Sequence, residues 1–144
     1  MDLYIFDFDN TIVQTPYPDS IYYMDRKESL NDSRWEFKLN QKVKSYYDKA
    51  KKKNEKKIVL LSNRVREVEA PLRELLYKLG YEFDEYLLIE NDDRSKSKRL
   101  LNYLKNINEV ENIYYWEDKD KHIKDISETI PKKYGVDVTV HKVI

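Results

Sequence analysis

Leu3-Tyr4-Ile5-Phe6 runs without a break into Asp7-Phe8-Asp9-Asn10-Thr11, and no other passage constrains the fold as strongly. An apolar run of strand-forming residues with no charge in it reads as a strand covered on both faces. Asp7 then falls at the carboxyl end of that strand, where open α/β sheets place their ligands. Asp7 and Asp9 are two apart, so in an extended chain their side chains share one side. Two carboxylates held close repel unless a cation or a shared proton offsets the charge. A hard divalent ion such as Mg2+, bound through carboxylate oxygens and water, meets that need. The plainer alternative is a turn of Asp and Asn residues after a buried strand.

The chain has 144 residues, a length that suits one domain with one sizeable core. Its wholly apolar stretches are too short for a transmembrane helix or a secretory signal. It has no cysteine, which excludes disulfides and thiolate metal sites, and a cytoplasmic location is the default expectation. Lys plus Arg equals Asp plus Glu at 27 each, whereas a general nucleic-acid binder is basic, so any affinity for nucleic acid must come from a local patch. Nothing in the sequence points to an obligate protein partner.

Residues 12 to 35 contain Pro16 and Pro18, which neither continue a helix nor pair in a central strand. This stretch is expected to form a loop or flap beside the site, with Tyr17, Tyr22, Tyr23 and Trp35 covering the core or stacking on a base. From Trp35 to about Lys53 the apolar spacing predicts an amphipathic helix, and the lysines at its end suit a helix carboxyl terminus. Ile58-Val59-Leu60-Leu61 predicts a second buried strand, ending in Ser62-Asn63-Arg64. A hydroxyl and an amide there can donate hydrogen bonds to an anion, or simply cap a helix. Arg64 is either a bidentate phosphate contact or a surface arginine.

A helix is predicted over roughly 67 to 79, with Pro71 near its start and Gly80 at its end. Tyr86-Leu87-Leu88-Ile89 predicts a third strand and Asn91-Asp92-Asp93-Arg94 a polar loop. The next helix starts near Ser95. Lys96 lies one turn before Leu100 on its inward stripe, while Lys98 falls off that stripe and faces water. Ile113-Tyr114-Tyr115-Trp116 predicts a fourth strand ending in Glu117-Asp118, acids that either join Asp7 around a metal or cap the next helix. His122, four residues after Asp118, shares a helical face with it, and that helix is expected to stop by Pro131. The alternating residues 136 to 143 predict an edge strand.

In order, these passages resemble the four motifs of the haloacid dehalogenase (HAD) superfamily. The resemblance implies that Asp7 is a nucleophile and Asp9 a general acid/base, that Ser62 binds the transferring phosphoryl group with the Asn63 backbone assisting, and that a lysine balances the charge. Helical phase favours Lys96 over Lys98 for that lysine. The acidic pair implies Asp118 as a metal ligand with Asp7 and Asp9, Glu117 helping directly or through water, and His122 orienting Asp118.

A narrower likeness is to the Swiss-army-knife RNA-repair-like HAD domains. It rests on Asp9-Asn10-Thr11, Thr15-Pro16-Tyr17-Pro18, Trp35, Leu61-Ser62-Asn63-Arg64, Phe83-Asp84-Glu85-Tyr86-Leu87, Glu117-Asp118-Lys119 and His122. Those domains have Thr-Gly-Arg where this chain has Ser62-Asn63-Arg64, and Glu-Asp-Arg where it has Glu117-Asp118-Lys119.

The resemblance implies a doubly wound, mainly parallel five-stranded α/β sheet of order 5-4-1-2-3, with a short flap and no full cap domain. The expected activity is Mg2+-dependent phosphomonoester hydrolysis through an aspartyl-phosphate. The expected partner is a phosphorylated substrate, either an RNA or DNA end or a small metabolite. A HAD-like binding module without catalysis is the alternative from another class.

Overall fold

The computed structural model describes residues 1–15, 37–91 and 94–144. Its elements are β1 (Asp2–Phe6), β2 (Val13–Gln14), β3 (Lys38–Leu39), α1 (Gln41–Lys51), β4 (Lys56–Val65), α2 (Glu69–Lys78), β5 (Glu85–Ile89), α3 (Lys96–Leu104), β6 (Asn112–Glu117), α4 (Asp120–Tyr134) and β7 (Val138–Lys142). Five strands form one parallel sheet of order β5-β4-β1-β6-β7. Counted along the chain, that is the expected 5-4-1-2-3 order read from the opposite edge, with the Asp7 strand at the centre.

The pleat of β1 divides the core. Leu3 and Ile5 pack on one face against Leu100 and Leu104 of α3 and Ile126 and Ile130 of α4. Tyr4 and Phe6 pack on the other face with Val43 and Tyr47 of α1 and Leu72 and Leu76 of α2. Successive side chains of a strand point to opposite faces, so an uninterrupted apolar run requires a helical layer on each side. Each fully buried Leu, Ile or Phe contributes about 1.5–3 kcal/mol over its exposed state, which holds β1 firmly at the centre of the sheet.

Several boundaries differ from the sequence-based expectation. Helix α1 begins at Gln41, not near Trp35, because the Asn40 side chain caps it by accepting from the Val43 N–H at 3.2 Å. The residues before it instead form a two-residue antiparallel pairing, Val13 with Leu39 and Gln14 with Lys38. Strand β4 runs on through Ser62-Asn63-Arg64 to Val65, with an irregular register against β5 between Leu61 and Val65. Helix α4 does not stop by Pro131 but continues to Tyr134, and Gly135 ends it at φ 85° with its N–H donating to the Pro131 carbonyl at 3.0 Å. Only the N–H of Pro131 is lost to the helix, while Tyr134 packs beside the core of that face. Pro71 sits in the first turn of α2, where a proline is tolerated. The expected flap, with Pro16, Tyr17, Pro18, Tyr22, Tyr23 and Trp35, falls almost wholly outside the described residues, as do Asp92 and Asp93.

Candidate active site

Asp7 follows the last residue of β1 and is tied to the neighbouring strand by its N–H, which donates to the Trp116 carbonyl at 3.1 Å. Asn10 adopts φ 60°, a conformation Asn tolerates, and the N–H groups of Thr11 and Ile12 turn back onto the Phe8 carbonyl at 3.2 and 3.1 Å. That tight turn brings the Thr11 hydroxyl to 3.3 Å from Asp7 Oδ2. The Asp7 carboxylate is therefore held from below by its own loop.

From α3, Lys96 reaches the same point. Ser95 caps this helix, and the buried Lys96 Nζ donates to Asp7 Oδ1 at 3.0 Å and to Glu117 Oε1 at 2.6 Å. Lys98 is exposed, as its helical phase requires. Glu117 closes β6 with its side chain fully buried. The Tyr115 hydroxyl donates to Glu117 Oε1 at 2.6 Å, and the N–H groups of Asp118 and Lys119 donate to Oε2 at 3.0 and 3.3 Å. Sequence reasoning gave Glu117 an auxiliary place, yet it is the best-satisfied acid of the site. The alternation of β6 carried the signal, since Tyr115 and Glu117 share a face.

Asp7, Glu117 and Asp118 each offer a carboxylate oxygen within 4.8 Å of the others. The electrostatics reflect this crowding. Burial and then the Glu117 charge push the Asp7 carboxyl well above the usual range, although Lys96 opposes them. Burial and the Glu117 contact raise Asp118 to about 7. Burial opposes ionisation of Glu117 too, but the Lys96 charge and its hydrogen bonds hold it below the usual range. Burial would lower the Lys96 pKa, and the charges of Asp7 and Glu117 outweigh it. Three acids face one lysine, so negative charge is in excess. The buried Asp118 Oδ1 has no hydrogen-bond partner among the described residues. An unpartnered carboxylate oxygen beside two further oxygen donors fits a hard divalent cation.

Asp9 stands apart from this group. Its Oδ2 accepts from Arg64 Nε at 3.0 Å, and its Oδ1 from Arg64 Nη2 at 2.8 Å and the Thr15 hydroxyl at 2.6 Å. Of the expected metal set of Asp7, Asp9 and Asp118, the structure groups Asp7 and Asp118 with Glu117, while a buried guanidinium two residues beyond Ser62 pairs with the Asp9 carboxylate. Arg64 is fully buried and not a surface arginine.

Ser62 is fully buried, and its hydroxyl oxygen accepts from the Arg64 N–H at 3.1 Å. Arg99 of α3 donates to the Ser62 carbonyl at 2.6 Å, to the Leu87 carbonyl at 3.0 Å and to the Asn63 side-chain oxygen. Sequence reasoning missed Arg99. It lies three residues after Lys96 on the same helix, and only the contact between α3 and β4 reveals its hold on the 62–63 backbone. His122 is half-buried, and its pKa falls to about 4 through burial and the nearby Lys96 charge. Among the described residues it makes no hydrogen bond to Asp118.

No protein-family model matches the chain, and no curated protein matches its sequence. Solved structures do match. A chain of the Pnkp1/Rnl/Hen1 complex is 20% identical at a TM-score of 0.71, over 99% of this chain and 45% of that one. A chain of the Pnkp1/Rnl/Hen1 RNA repair complex is 19% identical at a TM-score of 0.68, over 99% of this chain and 43% of that one. This chain therefore spans less than half the length of those two. The HAD domain of effector protein Lem4 from Legionella pneumophila is 14% identical at a TM-score of 0.65, over 98% of this chain and 85% of that one. With its parallel five-stranded sheet of order β5-β4-β1-β6-β7, the chain has a HAD-like fold.

Proposed function

We propose that the protein is a Mg2+-dependent phosphomonoester hydrolase that works through an aspartyl-phosphate on Asp7. The observation that carries this reading is the buried Asp7 carboxylate at the end of the central strand, bonded to Lys96 and Thr11 and grouped with Glu117 and Asp118. Asp7, Glu117 and Asp118 would hold the ion, which supplies charge neutralisation for the transferring phosphoryl group.

An Asp7 oxygen forms the new bond to phosphorus as the bond to the leaving oxygen breaks, and that oxygen takes a proton from Asp9. In the second half, a water attacks the phosphorus of the aspartyl-phosphate and gives its proton to Asp9, freeing Asp7 and inorganic phosphate. Lys96 and the Ser62–Asn63 segment stabilise the equatorial oxygens. Asp9 must leave or share its Arg64 pair to do this. Arg64 then acts on the reaction through Asp9.

The preferred substrate is a phosphorylated nucleic-acid end. The fold likeness to chains of an RNA repair complex supports this, and a small phosphorylated metabolite is the alternative. The test is turnover with Mg2+ on nucleotides, sugar phosphates and 3′- or 5′-phosphorylated oligonucleotides, with Asp7→Asn as the control. Activity in Asp7→Asn equal to wild type would remove the reading. A mononucleotide turned over as well as the oligonucleotide would replace the polymer substrate with a metabolite.

A further inference from the structure

Two adjoining cavities, of about 730 and 410 Å³, lie along the β7 side of the site. They share Asn40, Lys142, Val143 and Ile144, so they form one groove. The larger opens on Asp118 and Asn10, at the acid cluster itself, over an apolar floor that includes Val13 and Leu39. The smaller is lined by Tyr46, Trp116 and His141.

The far end of the groove is built from a ladder across three strands. Phe6, Trp116 and His141 are register partners on β1, β6 and β7. Their rings stack in sequence, with centroids 4.4 Å apart for Phe6–Trp116 and 4.6 Å for Trp116–His141, and interplanar angles of 5° and 7°. Tyr46 leans on the middle ring and one outer ring, at 5.5 Å from Trp116 and 5.2 Å from His141. Trp116 is 2% exposed, and its indole N–H has no acceptor among the described residues.

Charge complements this arrangement. Lys38 lines the larger cavity, Lys42 the smaller and Lys142 both, while the only acidic side chain among the described lining residues is Asp118 at the reacting end. Lys38 is exposed, and Lys142 is paired at 2.7 Å with the exposed Asp120, a contact an incoming anion can exchange at little cost. A protein with a formal net charge of zero thus presents a cationic rim along one groove.

We propose that this groove binds the nucleotide next to the phosphorylated end of a single-stranded oligonucleotide. Its phosphodiester lies on Lys38 and Lys142, and its base lies at Tyr46 and His141. Bases stack on aromatic rings without strong sequence preference, and lysines track the backbone. A small phosphorylated metabolite would leave the aromatic end empty. This inference rests on the phosphatase reading for the position of the terminal phosphate, and on the groove for everything beyond it.

The experiment uses a 3′-phosphorylated and a 5′-phosphorylated trinucleotide beside p-nitrophenyl phosphate. For wild type and for the Lys38→Glu/Lys142→Glu double variant, the ratio of kcat/KM on the better trinucleotide to kcat/KM on p-nitrophenyl phosphate is measured. The ratio is expected to fall at least ten-fold in the double variant, through KM for the trinucleotide, and a misfolded fraction leaves the ratio untouched. In parallel, a fluorescein-labelled trinucleotide is titrated into Asp7→Asn with and without the two reversals, and His141→Ala is added as a second probe of the aromatic end. Binding weakened at least five-fold by each change supports the groove. An unchanged ratio together with unchanged binding overturns it. Groove-dependent binding in a wild-type protein with no phosphatase activity would remove the phosphatase reading while leaving the groove in place.

Discussion

Arg64 grips Asp9 with two parallel bonds, Nε to Oδ2 at 3.0 Å and Nη2 to Oδ1 at 2.8 Å, and neither side chain is exposed beyond 8%. The pair separates two aspartates that stand only two residues apart. Asp7 belongs to the Lys96–Glu117 network and Asp9 to the Arg64–Thr15 network. The two carboxylates flanking the buried Phe8 thus have different partners, a lysine for one and an arginine for the other.

Breaking that pair from one side leaves a buried charge uncompensated. Arg64→Met should cost on the order of 3–5 kcal/mol of stability. Removing both charges together, in Asp9→Asn/Arg64→Met, should cost less than Arg64→Met alone. Urea unfolding of the two single variants and the double variant measures the coupling, and additive losses would show that the pair contributes nothing of its own.

Asp7→Asn keeps the size of the side chain and leaves Lys96 its partner Glu117. The variant should fold like wild type by circular dichroism and lose turnover by a factor on the order of 10⁴ or more. A smaller loss, in protein free of wild-type contamination, would assign the nucleophile elsewhere.

Lys96 and Lys98 are two residues apart and should respond in opposite ways. Lys96 is 2% exposed between two acids, so Lys96→Ala should abolish turnover and cost roughly 3 kcal/mol. Lys98 is exposed, and Lys98→Ala should change stability by less than about 0.5 kcal/mol. Thermal melts and initial rates on one phosphomonoester decide between them.

Metal removal should make stability fall with rising pH. In the metal-free protein Asp118 titrates at about 7 and Asp7 well above the usual range, because burial and the Glu117 charge disfavour their ionised forms. An acid whose folded pKa is raised keeps its proton more tightly when folded. Its favourable contribution is complete below the unfolded value of ~3.9 and is lost as pH rises through the folded value. Glu117 is shifted the other way, so its contribution is lost only in acid. Chelator-treated protein should therefore melt lower at about pH 7.5 than at about pH 5, and millimolar Mg2+ should raise the melting temperature more at the higher pH. Equal Mg2+ shifts at both values would argue against these three acids as its ligands.

Much of this was legible in the residues before any coordinates. Leu3 to Phe6 has no charge to place on a surface, so the strand had to be central and covered twice, and Asp7 had to emerge at its carboxyl end. The 100° period of α3 separated Lys96 from Lys98, because a helix of alternating stripes leaves no freedom over which residue faces in. These are local or periodic properties, and a sequence carries them directly. Only the tertiary structure decided where the carboxylates point. Residue spacing put Asp7 and Asp9 on one side of an extended chain, but Asn10 turns the chain at φ 60°, and Arg64, brought alongside by the pairing of β1 with β4, captures Asp9. The same pairing of β1 with β6 carries Glu117 beside Asp7 and makes it the hub of the acid group. Which partner a buried charge finds depends on segments distant in sequence, as with Asp9 and Arg64 at a separation of 55. No periodicity within one segment encodes that choice; it is made when the strands align in register and burial forces each charge to find an opposite one.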